Sequence, residues 1–409
     1  ARQLLTAPRG GIYAQGGEVL VVSERRAGYF YRRYRVPVSL AQTVGFAHPT
    51  LGLSGLEEAA DRWLRPSPFS LSNRGYNVHT TLHLAVQEAA EKALAGRKGA
   101  VVALDPRTGA ILALASAPGY ELERLSEDWP RLRRDKGSPL FNRALGGLYP
   151  PGSVFKVVTL AAALEAGKAT PGSVYFCPGQ RVVEGRTIAC AEGRSHGPLT
   201  LTQAVSVSCN YVFTGLGLAV GWEGLRGKAA DFGLTEAPPL ELAAQAGRFP
   251  PPRGGPGTAQ LAIGQGELLV TPLGMALVAA AIANEGKIMA PYLIQRSEDE
   301  RGRVVWTRRP RLWRRALSPE VAREIGRMME AVVEHGTGRP GRLRGVEVAG
   351  KTGTAENLSG KPHAWFIGFA PASAPRVAVG VVVEGGGGGG AVAAPLAASV
   401  LAAALEHIK

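Results

Sequence analysis

The chain has 409 residues, 45% hydrophobic and 20% charged, which is enough apolar content for a packed core and too much for a disordered tail. That length exceeds one typical domain and predicts two, one of them large. Lys plus Arg number 47 against 33 for Asp plus Glu, and the net charge of +14 favours anionic surroundings such as a membrane face or a wall polymer. Nucleic acid is disfavoured, because the basic residues are scattered and no RNA-binding or zinc-finger pattern accompanies them.

Taken in chain order, the first 77 residues differ from the rest. They carry short β-type runs at 18–23 and 29–37, many arginines, and a helix-like segment at 56–64. A linker follows at Arg65-Pro66-Ser67-Pro68. This predicts a small, mainly β N-terminal module over 1–77 and a mixed α and β domain over 78–409. In the second domain, Leu82, Val86, Ala89, Ala90, Ala93 and Leu94 recur at helical spacing, and Gly96 closes that helix. Runs at 100–104 and 110–115 flank Asp105-Pro106-Arg107-Thr108-Gly109 as a hairpin. The middle, 153–284, reads as mostly helical, with Thr271-Pro272 as one helix start and Gly286 as its stop. A second hairpin at 364–383 and a closing helix at 395–405 complete the chain. Strands at both ends of the domain around a helical middle predict one sheet assembled from its two termini.

The three cysteines exclude a disulfide-dense scaffold. With no Cys-x-x-Cys pair and no His-rich cluster, no metal and no cofactor is expected. The uncharged stretches 268–284 and 385–405 are broken by Pro272 and Pro395 and read as buried helices, not membrane spans. A start at Ala1 without Met points to an anchor that has been removed.

Three motifs carry chemistry. In Tyr149-Pro150-Pro151-Gly152-Ser153-Val154-Phe155-Lys156, the prolines and glycine halt the preceding structure and the apolar run after it continues as a helix. Ser153 therefore sits at a helix mouth with Lys156 one turn along the same face. Alone, such a serine is most often a cap. Beside a neutral lysine, its hydroxyl can attack a carbonyl while the amine takes the proton. Ser208-Cys209-Asn210 offers a second hydroxyl and a carboxamide, though a Ser-x-Asn triplet arises by chance about once in a chain of this length. Gly350-Lys351-Thr352-Gly353-Thr354 is far rarer: Lys351 brings charge, and the Thr352 and Thr354 hydroxyls can hold a carboxylate. Gly353 leaves room for a substrate backbone beside the strand. A polar edge strand is the bland alternative for that run.

In this order the three motifs match the combination Ser-x-x-Lys, Ser-x-Asn and Lys-Thr-Gly of penicillin-binding proteins and serine β-lactamases. The chain resembles a class B penicillin-binding protein, a monofunctional peptidoglycan D,D-transpeptidase, over nearly its whole length. Arg9-Gly10-Gly11-Ile12, Gly52-Leu53-Ser54-Gly55-Leu56-Glu57, Asn142-Arg143-Ala144, Gly264-Gln265-Gly266 and Trp365-Phe366-Ile367-Gly368-Phe369 are further family marks. The resemblance implies an α+β fold of the β-lactamase/transpeptidase type, an antiparallel sheet flanked by helices, with the N-terminal module as a pedestal. It implies Ser153 as nucleophile, Lys156 as general base, Ser208 in the proton relay with Lys351, and Asn210 on the substrate amide. Lys351, Thr352, Gly353 and Thr354 would bind the donor carboxylate, and the amides of Ser153 and Thr354 would form the oxyanion hole.

The implied partners are peptidoglycan stem peptides, β-lactams and a glycan polymerase of the SEDS family. The implied location is the outer face of the cell membrane, held by an N-terminal helix. There, a Cys177–Cys190 disulfide is compatible but not required, and Cys209 is expected to keep clear of substrate. The competing readings are a D,D-carboxypeptidase, a serine β-lactamase and a non-catalytic β-lactam sensor. A lactamase would be shorter and would carry a glutamate for the deacylating water, and no such residue is recognisable between Asn210 and Lys351.

Overall fold

In the computed structural model, which describes residues 6–66, 73–357 and 360–408, both ends of the larger domain meet in one five-stranded sheet. Its order is Ala349–Ala355, His363–Ala370, Val377–Val383, Gly99–Leu104, Ile111–Ala117, and every pairing is antiparallel. Antiparallel sheets often leave one face in water. This one is covered on both faces, and four of its five strands read as near-continuous apolar runs, the exception being the edge strand Ala349–Ala355: all seven residues of Val377–Val383 are buried.

Alternate residues sort into two cores. Val101, Ala103, Val379 and Val381 pack with Val86, Ala90, Val400 and Leu401, on the face covered by helices Leu84–Ala93 and Ala393–His407. Ala100, Val102, Ala378 and Val382 pack on the opposite face with Met275 and Ala276 of the helix Pro272–Ala283. That helix is apolar on every side and buried from Pro272 to Ile282, as a helix between a sheet and further helices must be. Its start is the one expected: the Thr271 side chain accepts from the Gly274 amide, with proline at the first position. Gly380 lets it lie flat on the sheet, because a Cβ there would stand 2.9 Å from Pro272 O and 3.0 Å from Ala276 Cβ.

A second, six-stranded sheet runs in the order Val304–Thr307, Ile294–Glu298, Asn77–Thr80, Ile12–Tyr13, Val19–Arg26, Tyr29–Tyr34. The strand Asn77–Thr80 straddles the residue 77/78 boundary, pairing parallel with Ile12–Tyr13 and antiparallel with Ile294–Glu298. Beneath it lies a buried ion cluster. Arg9 donates to Glu57 Oε2 at 3.1 Å and to Asp61 Oδ1 at 2.6 Å, and Arg32 donates to Glu57 Oε1 at 2.7 Å and to Gly10 O at 2.9 Å. The Glu57 side chain is wholly buried, and these two guanidinium groups stabilise its charge. The linker expected at residues 65–68 lies outside the described residues from Ser67 onward.

The middle of the chain is less helical than its sequence suggests. Between 174 and 200 it forms two short ladders, Val174–Cys177 with Gly197–Thr200 and Gln180–Val183 with Arg186–Ala189. The second is a tight hairpin, closed by Glu184 and Gly185 at φ 45° and 78°, the left-handed pair that a two-residue turn requires. Among the described residues no helix is long and apolar enough to cross a membrane.

Candidate active site

The first motif enters through a 3-10 turn, Gly152–Phe155, that runs into the helix Lys156–Glu165. Ser153 is half-buried at the mouth of that helix, where backbone amides lack carbonyl partners within the helix. Two glycines allow the turn its position. Gly152 has φ 56°, and a Cβ on it would stand 2.6 Å from Thr354 O. A Cβ on Gly264 would stand 1.9 Å from Gly152 O, and the Gly152 amide donates to Gly264 O at 2.9 Å. The serine turn is thus clasped between the Lys-Thr-Gly-Thr strand and the loop at Gly264-Gln265-Gly266. Trp365 adds a third hold, its indole N–H donating to Pro150 O at 3.0 Å.

Gly353 differs from its sequence reading in the reason for its missing side chain. A Cβ there would meet Pro151 O at 2.9 Å and Val154 Cγ1 at 3.0 Å. The close neighbour is the chain's own serine turn.

The second motif lies at a break between helices rather than within one. The helix Leu201–Ser206 ends, and the next, Asn210–Asp231, begins after Ser208 has taken φ 58°. A non-glycine residue in that region is uncommon and strained. The break turns the Ser208 hydroxyl and the Asn210 carboxamide toward Lys156. Lys156 Nζ donates to Ser208 O at 2.8 Å, Ser208 Oγ at 3.1 Å and Asn210 Oδ1 at 2.6 Å. From the third motif, Lys351 Nζ donates to the same Ser208 Oγ at 2.9 Å and to Thr352 O at 3.1 Å. The three motifs, up to 198 residues apart in sequence (351 − 153), meet on one hydroxyl.

Both lysines are buried, and among the described residues neither forms an ion pair with a carboxylate. Burial lowers the Lys156 pKa to about 7. Burial, and then the charge of Lys156, hold Lys351 well below the ordinary lysine range. Two ammonium groups on one hydroxyl repel, so neutrality of one is the relaxed state near pH 7. The arrangement can therefore pass a proton along Lys156, Ser208 and Lys351. Thr352 is buried with its Oγ1 2.6 Å from Thr337 Oγ1, whereas Thr354 is exposed on the strand and accepts from the Gly389 amide at 3.2 Å.

Two features escaped the sequence. The first is a brace behind the serine turn: Glu384 Oε1 accepts from Tyr149 Oη and from Arg143 Nε, each at 2.7 Å. Nothing marks Glu384 in its glycine-rich surroundings, although Arg143 stood out as a family mark. The second concerns the cysteines, among which the sequence offered no metal-ligand pattern and left a Cys177–Cys190 disulfide open. Cys177, Cys190 and Cys209 are all buried free thiols, and they converge with His196. Cys177 and Cys190 are not bonded, their Sγ atoms standing 3.7 Å apart where a disulfide needs about 2.05 Å.

Comparison with known proteins identifies the family. Residues 99–402 match the penicillin binding protein transpeptidase domain. The chain is similar to the peptidoglycan D,D-transpeptidase PbpA of Mycolicibacterium smegmatis, with 39% identity over 92% of this chain and 84% of that one. It superposes on penicillin-binding protein A of M. tuberculosis, solved as a ceftriaxone acyl-enzyme complex, with a TM-score of 0.92, 36% identity and coverage of 98% and 99%. The D,D-transpeptidase domain from Eggerthella lenta gives 0.91 at 36% identity, with the same coverage of 98% and 99%. With its α+β architecture, its three converging motifs and these likenesses, the chain belongs to the class B penicillin-binding protein transpeptidases.

Proposed function

We propose that Ser153 is the nucleophile through which this chain, a D,D-transpeptidase of peptidoglycan, cross-links stem peptides and is acylated by β-lactams. The observation that carries the reading is the convergence of two buried lysines, without carboxylates, on Ser208 beside the serine turn. In the first step Ser153 Oγ bonds to the carbonyl carbon of the penultimate D-Ala, and its proton passes to neutral Lys156. The amides of Ser153 and Thr354 receive the developing oxyanion. The peptide C–N bond then breaks, and the departing D-Ala amine takes a proton through Ser208. In the second step an acceptor amine attacks the ester carbonyl and gives up a proton to Lys156, the C–O bond to Ser153 breaks, and that proton returns to Ser153 Oγ. Asn210 holds the substrate amide, and Lys351, Thr352 and Thr354 hold the donor carboxylate, with Gly353 letting strand and serine turn meet. A β-lactam opens on the same hydroxyl and leaves an ester.

The test is mass spectrometry of the intact chain after penicillin treatment. Wild type gains the mass of the drug on the peptide bearing Ser153, and Ser153→Ala gains none. Drug attached elsewhere sinks the assignment. Incubation with a D-Ala-D-Ala stem peptide, with and without an acceptor amine, separates transpeptidation from carboxypeptidation: a cross-linked product is expected only with the amine.

We read residues 1–77 as a pedestal that, behind an N-terminal membrane anchor, docks a SEDS-family glycan polymerase. The edge strand Tyr29–Tyr34 supports this, because Tyr29 and Tyr31 are exposed beside Arg25 and Arg26 at the free margin of the six-stranded sheet. Truncation after Arg65 would strip three strands from that sheet, so Tyr29→Glu with Tyr31→Glu is the cleaner probe. Co-purification of the polymerase should fall with this variant while penicillin labelling stays unchanged. Undiminished co-purification would place the docking surface elsewhere.

A further inference from the structure

We propose that Cys177, Cys190, His196 and Cys209 form a closed tetrahedral site for a zinc ion that fixes the Ser208–Asn210 turn. The four residues come from four places: the end of the strand Val174–Cys177, the residue after Arg186–Ala189, the residue before Gly197–Thr200, and the start of the helix Asn210–Asp231. Their ligand atoms lie within 4.8 Å of one another. Cys177 Sγ is 3.7 Å from Cys190 Sγ and 3.4 Å from His196 Nδ1, and Cys190 Sγ is 3.8 Å from Cys209 Sγ.

A zinc tetrahedron with Zn–S of about 2.3 Å and Zn–N of about 2.0 Å has sulfur–sulfur edges of about 3.8 Å and sulfur–nitrogen edges of about 3.5 Å. Three of the six observed spacings match those edges, and none of the six exceeds 4.8 Å. A disulfide would draw one sulfur pair in to about 2.05 Å and leave a thiol and an imidazole without a role. Three thiolates and an imidazole select zinc over magnesium or calcium, and four protein ligands leave no open position for catalysis. On binding, the thiols release their protons to solvent.

The ion's task follows from where Cys209 stands. Its neighbours on either side are Ser208 and Asn210, which receive the Lys156 amine, and Ser208 is held at φ 58°. Asn210 Nδ2 also donates to Ala189 O at 2.8 Å, next to Cys190. The residues 174–200 add little apolar core of their own, so the ion pins both ladders to the strained turn. This consequence rests on the transpeptidase reading, whereas the metal site does not.

The test uses the full chain, purified under reducing conditions without chelator after growth in zinc-supplemented medium. One zinc per chain is expected by elemental analysis. Exchange to cobalt(II) should give tetrahedral visible bands with a thiolate charge-transfer band. Cys177→Ser and His196→Ala should lose the metal, and His196→Cys should keep it. Ser153→Ala should retain zinc while losing penicillin labelling, which separates failure of the site from failure of the transpeptidase reading. Stripping zinc with dipicolinate should slow penicillin acylation about tenfold, reversibly on adding zinc.

Should the variants fail to fold, alkylation of the native wild type decides. The three thiols should resist iodoacetamide until dipicolinate is added. A metal-free chain with a disulfide among residues 177, 190 and 209, or with thiols that alkylate at the same rate with and without chelator, overturns the site. An acylation rate indifferent to zinc overturns its positioning role.

Discussion

Two regions of this chain bury charge, and they do so in opposite ways. Under the N-terminal sheet, Arg9 and Arg32 enclose Glu57, with Asp61 at the margin, so every buried charge meets its opposite. In the cleft, Lys156 and Lys351 are buried as deeply and donate to hydroxyl, amide and carbonyl oxygens, with neither paired to a carboxylate among the described residues. Buried charges that are fully paired keep their ionisation and fix geometry. A buried cation without a counter-charge relaxes by losing its proton, which makes a base. The same physical cost is answered by an ion pair in one place and by reactivity in the other.

Substitutions can break this contrast. Lys156→Ala should slow penicillin acylation by about 10³-fold, on the order of 4 kcal/mol of barrier, with little change in initial binding. Stopped-flow separation of binding from acylation checks it, and an unchanged acylation rate would remove the base from the scheme. Glu57→Gln leaves two buried guanidinium groups facing a neutral amide, so it should lower stability by about 3 kcal/mol in urea unfolding. The molecules that remain folded should acylate at the wild-type rate.

The acylation pH profile sharpens the cleft side. The base acts when neutral, so with a Lys156 pKa of about 7 the rate should drop about tenfold per unit as pH falls below that value. It should level off above it. A profile flat from pH 5 to 8 would contradict a neutral lysine. The smallest effect is expected at Tyr149→Phe, which removes one hydrogen bond to Glu384 while Arg143 keeps its own. That should cost about 1 kcal/mol of stability, read as a shift of the urea midpoint. A larger loss would make the tyrosine, rather than the arginine, the main brace of the serine turn.

Much of the cleft was legible because its chemistry is written in local runs. Ser153 and Lys156 are three residues apart at one helix mouth, and Lys351 to Thr354 share one strand, so short runs carried the family resemblance from which their roles were inferred. The hairpin around residue 105 and the helix starting at Thr271 were legible for the same reason: turn residues and caps act over a few positions. The segment 174–200 was misread as helical, because its glycine turns and short ladders alternate too briefly to outweigh the apolar runs around it. The convergence of Cys177, Cys190, His196 and Cys209 was missed because a search for close cysteine pairs cannot see four side chains on four separate segments. Gly353 was assigned to substrate because sequence shows that a side chain is missing but not which neighbour fills the space.

The family marks at Arg9 and Glu57 show the division most plainly. Each was recognisable alone, but their contact was not, since 48 residues separate them. By itself the sequence determined which groups were available: a serine at a helix mouth, two lysines, a glycine-lined strand, and a sheet built from the ends of the domain. Only the tertiary structure decided their electrical state. Whether a lysine is a solvated cation or a neutral base depends on what surrounds it in space, and desolvation and charge pairing arise from contacts that close only when distant segments pack.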